Sequence, residues 1–493
     1  VSGGLGEFLD ASCARRGEAP FLLAGGRVWS YAELRRLTDG AAAELRRRGI
    51  GPGDRVALHL ANGPAAIFTW LALAKLGAIT APLHPRWTGN EVAAALALLQ
   101  PALLVAGLVA VATEAPVVSL PELESILARA ATSGERPPGP SPTAGDAADI
   151  LLTSGTTGTP KGVVQTHRAY RLTGEAFVHW LRLGPEDRLF TCLPLSHVNA
   201  RAYTVLGAIA AGAAVVLEER FSAGSFWAQV AAGRATQANT IGAMLRILLQ
   251  APPASADRAH SLRLVYTAPA LGEAAHRAFE ERFGVRLVSG YGMTECTFGF
   301  IQPLDGDCPR ESLGRPRAHP DPAWGNEVRL VDPESGRDVA EGGAGEIWLR
   351  NATVCAGYFR DPQATARAIT ADAWLRTGDL ARRDARGCYS FVGRIKEMIR
   401  RRGENLSPLE VEAALLAHPG VAEAAVVGMP SSLGEEEVAA FVVLAPGATA
   451  GAEELGAWCA ARLAPFKVPS VWRFPDSLPR TSTERVAKHL LRP

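Results

Sequence analysis

Short apolar runs alternating with helical patterns restrict this chain more than any other feature. Residues 31–49, beginning Tyr31-Ala-Glu-Leu, have helical spacing and stop at Gly49-Ile-Gly-Pro-Gly, a helix end built from glycine and proline. Asp54-Arg-Val-Ala-Leu-His-Leu reads as a strand, a helix follows from Pro64, and 78–83 reads as another strand. Strand, helix, strand in that order predicts a parallel α/β sheet, because parallel neighbours need a crossover. The pattern recurs to about residue 300. From 326 to 393 the chain turns to short alternating strands (Glu327-Val-Arg-Leu-Val, Gly345-Glu-Ile-Trp-Leu-Arg, Cys388-Tyr-Ser-Phe-Val-Gly), which predict a small β-rich unit. The last hundred residues carry a helix at 408–417, strands at 421–428 and 438–445, and a helix at 452–463, enough for a separate small α+β domain. At 493 residues the chain exceeds one ordinary core, in keeping with two or more domains.

Charge excludes some functions. With 51 basic and 50 acidic side chains the net charge is near +1, which gives no field to gather nucleic acid or an anionic membrane. The most apolar stretches, 65–83 and 202–217, are broken by Lys75 and several glycines and read as a buried helix feeding a buried strand, not as membrane spans. Seven scattered cysteines with no C-x-x-C argue for a reducing compartment and against a zinc site. The start, Val-Ser-Gly-Gly-Leu-Gly-Glu, has no basic head or apolar run, so a cytoplasmic location is expected.

The densest chemical signal is Thr153-Ser-Gly-Thr-Thr-Gly-Thr-Pro-Lys-Gly162. Gly155 and Gly158 let the backbone approach an anion. The hydroxyls of Ser154, Thr156 and Thr157 can donate to phosphate oxygens, and Lys161 adds a point charge. It is not a Walker A loop, which needs Gly before the Lys and Ser or Thr after it; here Pro160 precedes and Gly162 follows.

At these residues the chain resembles the adenylate-forming superfamily of acyl-CoA ligases, peptide-synthetase adenylation domains and luciferases, and the resemblance extends over nearly the whole chain. It implies a large N-terminal domain of layered α/β subdomains and a small mobile C-terminal lid, divided at 1–393 and 394–493. It also implies acyl-AMP formation from a carboxylate and Mg-ATP, then transfer to a thiol such as coenzyme A. In Tyr291-Gly292-Met-Thr294-Glu295 the resemblance makes Tyr291 the adenine platform, Thr294 an α-phosphate contact and Glu295, with Thr156, the Mg²⁺ position. Asp379, in Trp374-Leu-Arg-Thr-Gly-Asp, resembles the ribose acceptor. Arg394 resembles the nucleotide-contacting arginine, and Lys396 stands at the hinge. Arg400, Arg401, Arg402, Gly403 and Glu404 resemble the lid segment for the thiol step, Gly403 lying beside pantetheine and the arginines facing CoA phosphates.

On the acid side, Leu193-Pro-Leu-Ser-His197 resembles the pocket-shaping element, and Gly242, Met244, Gly290, Thr297 and Phe298, with Gly299, are expected to leave room for a bulky apolar acid. Leu264-Val-Tyr-Thr-Ala-Pro-Ala lacks the glycines relatives carry at the adenine turn, around Ala268 and Pro269. One departure bears on mechanism. The family's closing motif ends in Thr-Gly-Lys, whereas this chain reads Leu478-Pro-Arg-Thr-Ser-Thr-Glu484-Arg485-Val-Ala-Lys488. Three readings stand open at this stage: a ligase specialised for thioester formation from an acyl-AMP made by a separate adenylating enzyme, a bifunctional ligase tolerating Arg485, and a catalytically silent acyl-AMP or nucleotide binder. Loading of a carrier protein is a variant of the first two.

Overall fold

The computed structural model describes residues 3–108, 113–137, 139, 141–153, 161–401, 404–430, 436–480 and 486–491. The chain divides into two compact units, Val1–Val328 with Leu349–Leu375, and Arg329–Trp348 with Arg376–Pro493. The resemblance instead draws its division at residue 394, with the hinge near Lys396.

The first unit is built on two sheets. A nine-stranded sheet runs Arg315–Pro316, Cys296–Ile301, Arg286–Met293, Leu264–Thr267, Gln237–Thr240, Arg188–Thr191, Ala214–Leu217, Pro20–Ala24 and Arg27–Ser30. A six-stranded sheet runs Val117–Ser119, Leu103–Ala106, Arg55–His59, Ile79–Pro82, Ala147–Thr153 and Lys161–Thr166. The central strands are parallel, with Leu264 opposite Gln237 and Val56 opposite Thr80. Antiparallel pairs close both edges of the nine-stranded sheet and one edge of the six-stranded sheet, whose other edge strand, Val117–Ser119, is parallel to its neighbour. Ala214–Leu217 is buried along its whole length, as a strand covered on both faces must be. The strand at 54–60 appears as Arg55–His59, the helix from Pro64 as Pro64–Leu76, and the strand at 78–83 as Ile79–Pro82. Pro64–Leu76 is buried from Ala66 onward, and its one charge, Lys75, meets Asp10 at 2.7 Å and pairs with Asp39.

The second unit holds the predicted β-rich strands as the sheet Glu327–Val331, Ala344–Arg350, Leu375–Arg383 and Tyr389–Arg394, whose first strand and strand ends extend into the first unit's residues. Val421–Pro430, Glu436–Leu444 and Val471–Arg473 form another sheet, with helices Pro408–Leu416 and Ala452–Ala460. Among the described residues no helix is long and apolar enough to cross a membrane. Cys13, Cys192 and Cys355 are free and buried, and burial pushes each thiol up to about 12, so none supplies a thiolate.

Histidine 167 ties two helices of the first unit. Its Nδ1 accepts the Leu5 N–H at 3.2 Å, satisfying a donor that helix Leu5–Arg16 cannot satisfy itself. The ring is fully buried, Nε2 has no partner, and desolvation lowers the pKa to about 4. The folded value lies below the unfolded one, so the contribution is present above about pH 6.5 and fades as pH falls toward 4. His167→Gln, which cannot charge, should reduce acid sensitivity: on going from pH 7 to pH 5 the wild type should lose about 2 kcal/mol more stability than the variant. Denaturant midpoints at the two pH values check this.

Candidate active site

Three chain segments far apart in sequence meet beside Lys161. Strands Ala147–Thr153 and Lys161–Thr166 pair so that Thr153 lies opposite Lys161. Residues 356–359 add along the other side, with Phe359 N–H donating to Gly162 O at 2.7 Å and Val164 N–H to Gly357 O at 3.0 Å. A Cβ on Gly162 would stand 2.7 Å from Ile150 Cγ2, which explains glycine after Lys161. Gly357 has φ +124°, and a Cβ there would meet Thr365 at 2.6 Å. That turn delivers Tyr358, whose ring lies 5.3 Å from Lys161 Nζ and whose hydroxyl donates to Glu295 Oε1 at 2.8 Å. Burial, and then the Glu295 charge, push the Tyr358 hydroxyl well above its ordinary range, so it stays a donor.

Glu295 itself is buried. Its backbone carbonyl accepts from Cys355 N–H at 2.8 Å, and the neighbouring Thr294 carbonyl accepts from Gln165 Nε2 at 2.5 Å. Thr153, Lys161, Thr294 and Glu295 are thereby joined in one network. Tyr291 lies on Arg286–Met293, its ring 5.8 Å from Phe300. Among the described residues no cluster of three His, Cys, Asp or Glu exists to cage a metal. A single buried carboxylate suits Mg²⁺, which takes one or two carboxylates and completes its shell with phosphate oxygens and water.

In the second unit, Asp379 and Arg394 face each other in register, with Arg394 Nε 3.0 Å from Asp379 Oδ1. Asp379 is 3% exposed and Arg394 largely exposed. The approach is fixed by Thr377, whose hydroxyl donates to Ile347 O, and by Gly378, which has φ +72° and donates to Glu346 Oε1. Lys396 is exposed in the short turn Ile395–Glu397.

Several expectations need revision. Arg401 is 7% exposed and committed inward: its Nη1 donates to Phe466 O and Val468 O, and its Nη2 pairs with Glu437 at 2.7 Å. Those bonds take it away from coenzyme A phosphates. Arg400 and Glu404 are exposed. The room expected at the glycines is filled by the chain: a Cβ on Gly290 would meet Arg317 Nη2 at 2.3 Å, and one on Gly299 would meet Tyr291 at 2.5 Å. A Cβ on Gly292 would approach the Tyr203 hydroxyl at 2.9 Å, and one on Gly242 the Pro269 carbonyl at 3.3 Å. Met244, Thr297 and Phe298 are buried, Thr297 against the Thr173 hydroxyl and Phe298 against Trp180. His197 packs its ring 5.5 Å from His84. Ser154, Gly155, Thr156, Thr157, Gly158, Arg402, Gly403 and Arg485 lie outside the described residues.

Sequence reasoning missed Tyr358 and the pair Asp149–Arg201. Arg201 lies in the π-helix Asn199–Val205, a rare form that is frequent at functional positions. Its Nη1 meets Asp149 Oδ2 at 2.5 Å and its Nε donates to Leu195 O at 2.5 Å, while the guanidinium covers Trp70 at 4.5 Å. Tyr170 also donates to Asp149, at 2.8 Å. Burial pushes the Asp149 carboxyl up, and Arg201 and Tyr170 oppose it. Arg201→Met should destabilise the first unit by about 3–5 kcal/mol, because it strands a buried carboxylate; Asp149→Asn with Arg201→Met should cost less than the two single changes together. A double-mutant cycle by denaturant titration reads the coupling.

Comparison with known proteins gives this geometry a context. The AMP-binding enzyme family matches residues 9–359, and the AMP-binding enzyme C-terminal domain matches residues 410–485. A crotonobetaine/carnitine–CoA ligase of Escherichia coli is 37% identical over 95% of this chain and 94% of its own. ATP-bound MatB from Rhodopseudomonas palustris superposes with TM-score 0.89 at 28% identity, covering 99% of this chain and 98% of its own. The anthranilate CoA ligase AuaEII, in complex with anthranoyl-AMP, shares the fold with TM-score 0.88 at 24% identity, over 99% of this chain and 96% of its own.

Proposed function

The chain belongs to the AMP-binding enzyme family, and on that premise we propose how its two half-reactions are divided. It is an acid–thiol ligase, an acyl-CoA ligase of the adenylate-forming kind, and its family works with ATP or AMP and coenzyme A, Mg²⁺ being typical. In our reading Thr153 and Lys161 flank the phosphates, Tyr291 offers its face to adenine, Thr294 donates to the α-phosphate and Glu295 holds Mg²⁺. Asp379 accepts the ribose hydroxyls, and Arg394 fixes that carboxylate. The lid pivots near Lys396, and His197 borders the acid.

We read the adenylating half as impaired and the thioester half as retained. The carrying observation is the position of Lys488. With Arg485 where the family pattern has lysine, Lys488 is the nearest amine in sequence. Its Nζ lies 2.8 Å from Glu412 Oε1 and 3.4 Å from Glu397 Oε2. Glu412 is 8% exposed, so withdrawing Lys488 would leave a buried carboxylate without its cation. Lys488 is thus a structural anchor and not a substitute. Arg485 itself brings a planar, diffuse charge that prefers bidentate partners, in place of a compact ammonium. Losing one well-aimed donor to developing charge lowers a rate by about 10²–10³. The acyl-AMP then comes from a separate adenylating enzyme.

Two assays separate the halves: acid-dependent pyrophosphate exchange with crotonobetaine, butanoate and benzoate, and thioester formation from the matching acyl-AMPs and coenzyme A. The expected outcome is slow exchange with measurable thioester formation, and exchange raised about 100-fold by Arg485→Lys. Exchange as fast as thioester formation in the unmodified chain would overturn the division of labour.

A further inference from the structure

One side chain touches both charged groups assigned to the magnesium nucleotide. Tyr358 donates its hydroxyl to Glu295 Oε1 at 2.8 Å, and its ring centre stands 5.3 Å from Lys161 Nζ. Its place is fixed from both sides. Tyr358 pairs in an isolated bridge with Val163, on the strand that begins at Lys161, and its own N–H donates to Thr365 Oγ1 at 2.9 Å. Thr365 Oγ1 in turn donates to Asp361 O at 2.9 Å, which locks the turn to the helix Pro362–Ala368. Among the described residues no carboxylate pairs with Lys161; its ammonium meets a π-face instead. A π-face attracts a cation without cancelling its charge, so the ammonium stays available to an anion. The hydroxyl acts on Glu295 in the same way. A carboxylate has about four acceptor sites, and one donor fixes its plane while most of those sites remain for other partners.

Lys161 and Glu295 carry opposite charges, and Tyr358 takes both, the ammonium on its ring and the carboxylate on its hydroxyl. Direct pairing of the two would occupy each with the other and leave neither for a ligand. Resting on the ligase reading above, in which Glu295 holds Mg²⁺ and Lys161 flanks the phosphates, we propose that Tyr358 is a positioning residue for the metal–nucleotide. Its hydroxyl sets the Glu295 carboxylate for the cation, and its ring keeps Lys161 beside the phosphates and apart from Glu295. Hydrogen bonds made to a metal's carboxylate, and not to the metal, change metal affinity by about 10- to 100-fold. The ring's share is smaller, about threefold, the size of a cation–π contact at a partly exposed position.

Titration calorimetry on the full chain with α,β-methylene-ATP, whose α–β bridge cannot be cleaved, measures both shares when run with and without Mg²⁺. In the unmodified chain Mg²⁺ should tighten binding, and Glu295→Gln should remove that gain. Tyr358→Phe, which keeps the ring, should match the unmodified chain without Mg²⁺ and lose about tenfold of the gain with it. Tyr358→Leu should lose the same gain and also bind about threefold more weakly without the metal. In the Glu295→Gln background Tyr358→Phe should have no further effect. A residue that only filled space would lower both affinities together and leave their ratio unchanged. No binding of the analogue, or a gain that survives Glu295→Gln, defeats the reading on which the proposal rests, and the proposal with it. A gain that Glu295→Gln removes but that stays whole in a folded Tyr358→Phe or Tyr358→Leu overturns the proposal alone.

Discussion

The buried pair Asp149–Arg201 is the constraint from which the candidate site is assembled. Asp149 stands four residues before Thr153 on the strand that enters the glycine- and threonine-rich segment. Arg201 grips the Leu195 carbonyl in the segment leading to His197. One ion pair therefore ties strand Ala147–Thr153 to the segment around Leu195. Burying two charges is unfavourable unless geometry and further hydrogen bonds compensate. Tyr170, the Leu195 carbonyl and the Trp70 face provide that compensation. A shifted π-helix would break several of these contacts at once, so the pair favours one placement of that helix against the strand.

Arginine recurs as an internal clamp because its fork reaches several acceptors that diverge. Arg282 joins Asp257 to the carbonyls of Leu249 and Ala251, and Arg401 joins Glu437 to those of Phe466 and Val468. A lysine ammonium has no fixed fork with which to span such sets. Three of the chain's five lysines, Lys75, Lys467 and Lys488, instead meet carboxylates. The arginine-rich composition is thus a resource for fixing loops whose carbonyls lack regular partners, and an arginine in a motif-like run can belong to the core.

Local pattern exposed the framework and the motif residues but not the contacts that hold them. Period and punctuation located Arg55–His59, Pro64–Leu76 and Val421–Pro430, because burial on one or both faces writes itself into adjacent residues. Asp379 and Arg394 were also legible as motif residues, and they face each other across a hairpin with a short connection. The donor from Tyr358 to Glu295 spans 63 positions, and the Asp149–Arg201 pair spans 52. Such pairings have no period, and each partner alone reads as an ordinary residue. Glycine was misleading for a related reason. An absent Cβ signals that something comes close, and at Gly290 and Gly299 the visitor is Arg317 or Tyr291 rather than a substrate.

The burial of Arg317 sets a desolvation cost against the four acceptors that its fork satisfies. Four neutral acceptors satisfy most of its donors, yet none returns the Coulomb energy that an anion would. An apolar side chain of similar volume would avoid desolvating a charge, but it would leave the Phe300 and Thr297 carbonyls and the Tyr203 and Tyr266 hydroxyls without that donor. What an apolar side chain cannot supply is the fork that joins strand Cys296–Ile301 to the Tyr203 and Tyr266 hydroxyls.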